Sequence, residues 1–154
     1  MKKNIVISGL LAASLLPGLA FSATQNTNLN ATATVPAVCN FAGVSNIAFG
    51  SYDPTSATPT DSNGSVDIRC TKNTLYEVII TGARTMLNGG DSLAFELYSN
   101  FAGGAVWSNA FGTGVTNTPL TNLPTTHTIY GRVPALQDVP AGAYAGTVTI
   151  TVQY

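Results

Sequence analysis

The 154-residue chain is 45% apolar but only 8% charged, with a formal net charge of −1 and a single His. An average domain is about 25% charged; this chain has neither the high net charge of a disordered segment nor the basic footprint of a nucleic-acid binder. Its 21 Thr, 15 Gly and 13 Asn, set against few Lys, Glu and Gln, disfavour helix and suit one domain of strands joined by turns.

The chain opens with Lys2 and Lys3, an apolar run over residues 5–16, then Pro17-Gly18 and small residues around Ala20 and Ser22. That three-part order predicts a secretory signal peptide over residues 1–22, cleaved after Ser22. The apolar run is shorter than the roughly 20 residues a membrane-spanning helix needs. Removing Lys2 and Lys3 leaves four Lys+Arg against seven Asp+Glu, a net charge of −3 on an exported protein.

Next comes an alternating stretch. Leu29, Ala31, Ala33 and Val35 lie on one parity, with Asn28, Asn30, Thr32 and Thr34 on the other, up to Pro36. The alternation predicts a strand, and Pro36, which cannot donate to a ladder, ends it. Two readings stand: a first strand folding back on its own domain, or a strand that leaves its domain and completes another copy. Cys39 and Cys70 follow as an even pair in an oxidising compartment, which favours a disulfide over two free thiols. One His leaves too few ligands for zinc.

After a loop over residues 53–64, Val66, Ile68 and Cys70 alternate with Ser65, Asp67 and Arg69. Tyr76, Val78 and Ile80 form a second run, and Leu93, Phe95 and Leu97 a third. A loop is expected over 109–125. His127, Ile129 and Val133 then share a parity opposite Thr126, Thr128, Tyr130 and Arg132. The last run is the cleanest, with Val148, Ile150, Val152 and Tyr154 against Thr147, Thr149, Thr151 and Gln153. Short strands buried on one face and no helical stretch predict an all-β antiparallel sandwich.

Catalytic chemistry is not expected. His127 is the one candidate base, and its strand parity makes it a partly buried structural residue. The carboxylates of Asp53, Asp61, Asp67, Glu77, Asp91, Glu96 and Asp138 fall in loops or on outward parities, so solvated faces are their default reading. Gly89-Gly90 and Gly103-Gly104 read as turns and not as a phosphate cradle. Trp107 reads as a core or sheet-edge residue.

Phe49-Gly50-Ser51-Tyr52-Asp53-Pro54 resembles the recurrent segment of the spore coat protein U domain family. The tail resembles it further: Tyr130-Gly131-Arg132-Val133-Pro134-Ala135, Gln137, Ala141-Gly142-Ala143-Tyr144, and the final strand ending at Tyr154. Gly82 to Met86 with Arg84, and Leu97-Tyr98 with Trp107, fall where that family has similar residues. The resemblance spans about residues 31–154.

What the resemblance implies is an immunoglobulin-like antiparallel sandwich lacking its last strand, completed by a donor strand from a neighbouring subunit. Its implied function is that of a structural subunit, shaft or adaptor, of an archaic (Csu-type) chaperone–usher pilus serving surface attachment and biofilm formation. Residues 23–38 would be the donor extension, inserting Leu29, Ala31, Ala33 and Val35, and residues 39–154 the domain. The implied partners are a periplasmic pilus chaperone, an outer-membrane usher and other pilus subunits. The protein would be periplasmic during assembly and then extracellular; no nucleic acid, small-molecule substrate, metal or cofactor is expected. Two alternatives differ in class: a secreted spore-coat structural protein, or a single-domain surface-binding adhesin module.

Overall fold

The computed structural model describes residues 22–154; the expected signal peptide lies outside the described residues except for Ser22. Among the described residues there is no helix, and none long and apolar enough to cross a membrane. The chain divides into two compact units, with residues 34–154 forming one of them. Residues 22–38 carry no strand and are exposed throughout. The strand expected from the alternation is not formed among these residues, and Leu29 is 93% and Val35 77% exposed.

Nine strands follow: β1 (Cys39–Ser45), β2 (Thr60–Cys70), β3 (Tyr76–Thr81), β4 (Thr85–Asn88), β5 (Asp91–Ala94), β6 (Glu96–Tyr98), β7 (Val115–Asn117), β8 (Thr125–Val133) and β9 (Thr149–Gln153). One sheet has the order β1-β2-β8-β6, a second β7-β3-β9, and β4-β5 form a separate hairpin. Every pairing is antiparallel.

The core lies between the two larger sheets. Val66, Ile68 and Cys70 of β2 and Ile129 of β8 meet Tyr76, Val78 and Ile80 of β3, with Leu97 and Trp107 among them. These are the inward parities read from the sequence, because a period of two sends alternate side chains to opposite faces. Trp107 is a core residue, its indole N–H donating to the Val78 carbonyl at 3.2 Å.

Three expectations need correction. Residues 60–64, read as loop, extend β2 and pair with Val133 to Ile129 of β8; Thr60, Asp61, Ser62, Asn63 and Gly64 show no apolar alternation, so partner strand and not pattern makes them β. Residues 115–117, also read as loop, form the short edge strand β7 against β3. The Leu93-Phe95-Leu97 run is two strands, since the chain crosses at Phe95 from the hairpin to β8, its amide donating to the Arg84 carbonyl at 3.0 Å.

Cys39 and Cys70 are disulfide-bonded and directly opposite in the β1–β2 register. His127 is partly buried. Asn117 Nδ2 donates to the Tyr76 hydroxyl at 3.0 Å, and that hydroxyl is hydrogen-bonded to His127 Nε2 at 2.8 Å. Burial pushes the imidazole pKa below its ordinary value.

A candidate strand-accepting groove

β1 is the edge of one sheet and β9 the edge of the other, and among the described residues neither has a strand on its free side. Between them the sandwich is open. Two cavities of about 400 and 580 Å³ lie along this opening and share Ile47, Phe49 and Met86 in their walls. The smaller has Val44 on the β1 side, Val148 and Ile150 on the β9 side, and Ile80, Leu97 and Ile129 as its floor. The larger continues past Leu93 and Val133 to residues 139–144.

The exposure of apolar groups marks the opening. Val44 and Phe41 on β1 are 62% and 48% exposed, although a β1 covered on both sides would bury one parity. Val148, Ile150 and Val152 reach only partial burial, in contrast to the fully buried Val78 and Ile80 of the neighbouring strand. An apolar trough beside unpaired backbone N–H and C=O groups is the arrangement that recruits another strand.

The segments flanking the groove are fixed by the motif residues. Gly131 lets Phe49 approach β8: a Cβ there would lie 2.7 Å from Phe49 Cζ. Phe49 meets Phe95 with ring centroids 6.0 Å apart. The Tyr52 hydroxyl donates to the Pro134 carbonyl at 2.9 Å and accepts from the Gln137 amide at 2.9 Å. The Gln137 side chain in turn pairs with both backbone groups of Ala94, as a strand residue would. Gly50 has φ +70°, in the left-handed region.

Pro54, Gly142 and Tyr144 line the larger cavity, with the Tyr144 hydroxyl donating to Pro140 at 2.9 Å. Tyr130 sits in β8 opposite Tyr98 and Asn63, and Arg132 makes a two-pronged ion pair with Asp61 at 2.6 and 2.7 Å. That pair lowers the Asp61 pKa and raises that of Arg132. Tyr154 is exposed just past β9.

Arg84 ties the parts below the groove together. Its guanidinium donates to the Leu97 carbonyl at 3.1 Å, to the Trp107 carbonyl and to the Glu96 carboxylate, and burial lowers its pKa. Ala145 exchanges backbone hydrogen bonds with Leu87 at 2.8 and 3.1 Å, closing residues 139–148 over β4. Gly146 permits this approach, because a Cβ there would collide with the Thr85 carbonyl.

Thus the structure brings the two motif segments together at one end of the groove. It leaves Leu29, Ala31, Ala33 and Val35 exposed in residues 22–38. Ile47 had no place in the sequence reading, although it stands two positions before Phe49 and carried an alternation signal; Met86 entered only as the end of the 82–86 segment that resembles the family.

Comparison with known proteins follows the same lines. A family model described as Spore Coat Protein U domain matches residues 25–151. "Protein U" of Myxococcus xanthus is 34% identical over 178 residues, covering 99% of this chain and 98% of the relative. A chain in the crystal structure of the CsuC–CsuE chaperone–tip adhesion subunit pre-assembly complex, from archaic chaperone–usher Csu pili of Acinetobacter baumannii, aligns with TM-score 0.54 at 21% identity. The alignment covers 79% of this chain and 40% of that longer one, and the two share the immunoglobulin-like sandwich fold.

Proposed function

The chain belongs to the Spore Coat Protein U domain family, and from that membership we propose that it is a structural subunit, shaft or adaptor, of an archaic chaperone–usher pilus. The observation that carries this reading is the apolar groove between the free edges of β1 and β9. Its occupant in the filament is the 23–38 extension of a second copy or a related subunit, added as a strand with Leu29, Ala31, Ala33 and Val35 directed into the groove. Strand pairing satisfies the backbone groups of the open edge. Each fully buried Leu or Val contributes roughly 1.5–3 kcal/mol, Ala less.

Before assembly a periplasmic chaperone covers the groove, and exchange takes place at an outer-membrane usher. The finished filament is extracellular and serves surface attachment and biofilm formation. The role is mechanical and not enzymatic.

The test is assembly with the periplasmic chaperone, comparing the mature chain with one lacking residues 23–35. Ladders on unboiled gels from the full chain, and a chaperone-bound monomer from the truncated one, are expected. Stable chaperone-free monomers from both would overturn the reading.

A coat component is the second reading, favoured by the match of residues 25–151 to the Spore Coat Protein U domain model. The presence of chaperone and usher genes beside this one separates the two.

A further inference from the structure

The ends of the sandwich differ in chemistry. β1, β3 and β8 begin at one end, where β2, β7 and β9 finish, so residues 36–38, 71–75 and 118–124 gather there beside the disulfide. That end exposes Val38, Leu75, Leu120 and Leu123. It also carries Arg69 and Lys72, both exposed and neither in an ion pair among the described residues, and exposed Tyr154 lies there just past β9. Glu77, the nearest acid on β3, is engaged by the backbone N–H groups of Gly112 and Gly114. The other two arginines, Arg84 and Arg132, are paired with Glu96 and Asp61. The opposite end carries Asp53, Asp91 and Asp138, all exposed: Asp53 and Asp138 adjoin Tyr52, Pro54 and Val139 in the wall of the larger cavity, and Asp91 pairs with Asn88, which lies beside Gly142 of that wall.

Between Val35 and the disulfide lie only residues 36–38, a reach of about 10 Å at 3.3–3.6 Å per residue. They are not free to swing. Thr71 accepts from the Val38 amide at 3.2 Å and donates to the Pro36 carbonyl at 3.1 Å through its hydroxyl, while its amide donates to the Val38 carbonyl at 2.9 Å. A copy whose strand fills a neighbour's groove is therefore held with its disulfide end against that neighbour.

Resting on the donor-strand reading above, we infer that successive copies also meet body to body, the disulfide end of one, with Arg69 and Lys72, seated on the groove mouth of the next, with Asp53, Asp91 and Asp138. The occupant of this surface is a second copy of the chain. Strand direction decides which end is met. A strand antiparallel to β9 leaves the groove at the mouth opposite the disulfide, bringing Arg69 and Lys72 to Asp53, Asp91 and Asp138. A parallel strand would leave at the acceptor's own disulfide end and bring Arg69 and Lys72 of two copies together. Antiparallel pairing is also the rule throughout this fold and the more stable ladder. The contact is head to tail, so it propagates without closing.

Lys72 is the sole lysine among residues 22–154, which makes the test direct. Polymers assembled from mixed ¹⁴N- and ¹⁵N-labelled full chains are treated with a carbodiimide, which joins an amine to a carboxylate with no spacer. Mass spectrometry then identifies the joined peptides. Lys72 linked to Asp53, Asp91 or Asp138 in mixed-isotope pairs is expected; within one copy the two ends are separated by β8, roughly 30 Å for nine residues. Polymers with no such link, or with Lys72 joined only to Glu77 or the Tyr154 carboxylate, would overturn the end-to-end contact and leave the donor reading standing. A wild-type chain that forms no polymer in the presence of chaperone would overturn both.

Discussion

The Tyr52 hydroxyl donates to the Pro134 carbonyl at 2.9 Å across 82 positions of sequence, and through it two distant motifs become one structure. Because the same oxygen accepts from the Gln137 amide, it holds the chain that carries Leu136 at φ +59°. Tyr52→Phe deletes both bonds and leaves the Gln137 amide without its partner. A stability loss of about 1–2 kcal/mol is expected, read as a lower urea midpoint with an unchanged slope.

Gly131 sits where Phe49 crosses β8. Gly131→Ala forces Phe49 to move and should cost about 1–3 kcal/mol. Adding Phe49→Leu to that variant should recover part of the loss, since the shorter side chain vacates the contested space. Equilibrium unfolding of the two single variants and the double variant measures the coupling; strict additivity would contradict the contact.

Acid should loosen the sandwich through His127. Its folded pKa is depressed by burial below the ordinary 6.5, so the unfolded chain takes up the proton first. Stability is complete above about pH 6.5, declines as the pH falls through that value, and stops declining below the folded pKa. Protonation places a hydrogen on both ring nitrogens, including the Nε2 that faces the Tyr76 hydroxyl. Thermal melts of wild type and His127→Gln between pH 7.5 and 5 should show a slope near pH 6 in the former only.

Leu29→Asp places a charge on the face proposed to enter the groove. Assembly into gel-stable ladders should weaken roughly tenfold or more, judged from the burial energy of one Leu. The chaperone-bound subunit should keep its β-rich circular dichroism spectrum. Normal filaments from this variant would remove Leu29 from the inserted face.

How much of this could be read from residues alone varies along the chain. β3, β8 and β9 announced themselves because apolar residues alternate along each; in β8 the alternation of Ile129 with Thr128 records a buried and a half-buried environment directly, whereas β3 buries Ile79 as well as Tyr76, Val78 and Ile80. β7 and the first five residues of β2 were silent. Their strand state comes from a partner's backbone, and Gly64, Asn63 and Asp61 carry no preference that would reveal it. Phe95 misled because the 93–97 alternation persists across a change of sheet. The groove was legible only in part: its β9 wall is an ordinary alternating strand, but the openness beside it depends on which strands lie next to which. Residues 28–35 alternate as clearly as any strand, yet form none. Pattern reports which side chains could be buried together, and not which surface buries them.

The Cys39–Cys70 bridge stands at the first residue of β1, where the chain passes from residues 36–38 into the sheet. A pull on the chain at Val38 reaches this bridge before it reaches any later rung of the β1–β2 ladder. The covalent link passes the tension across to β2, which is flanked by strands on both sides. β1, the wall of the groove with a neighbour on one side only, is thereby taken out of the line of force. Traction that would otherwise peel β1 away rung by rung must instead shear β2 from the middle of its sheet or break a bond between two sulfur atoms.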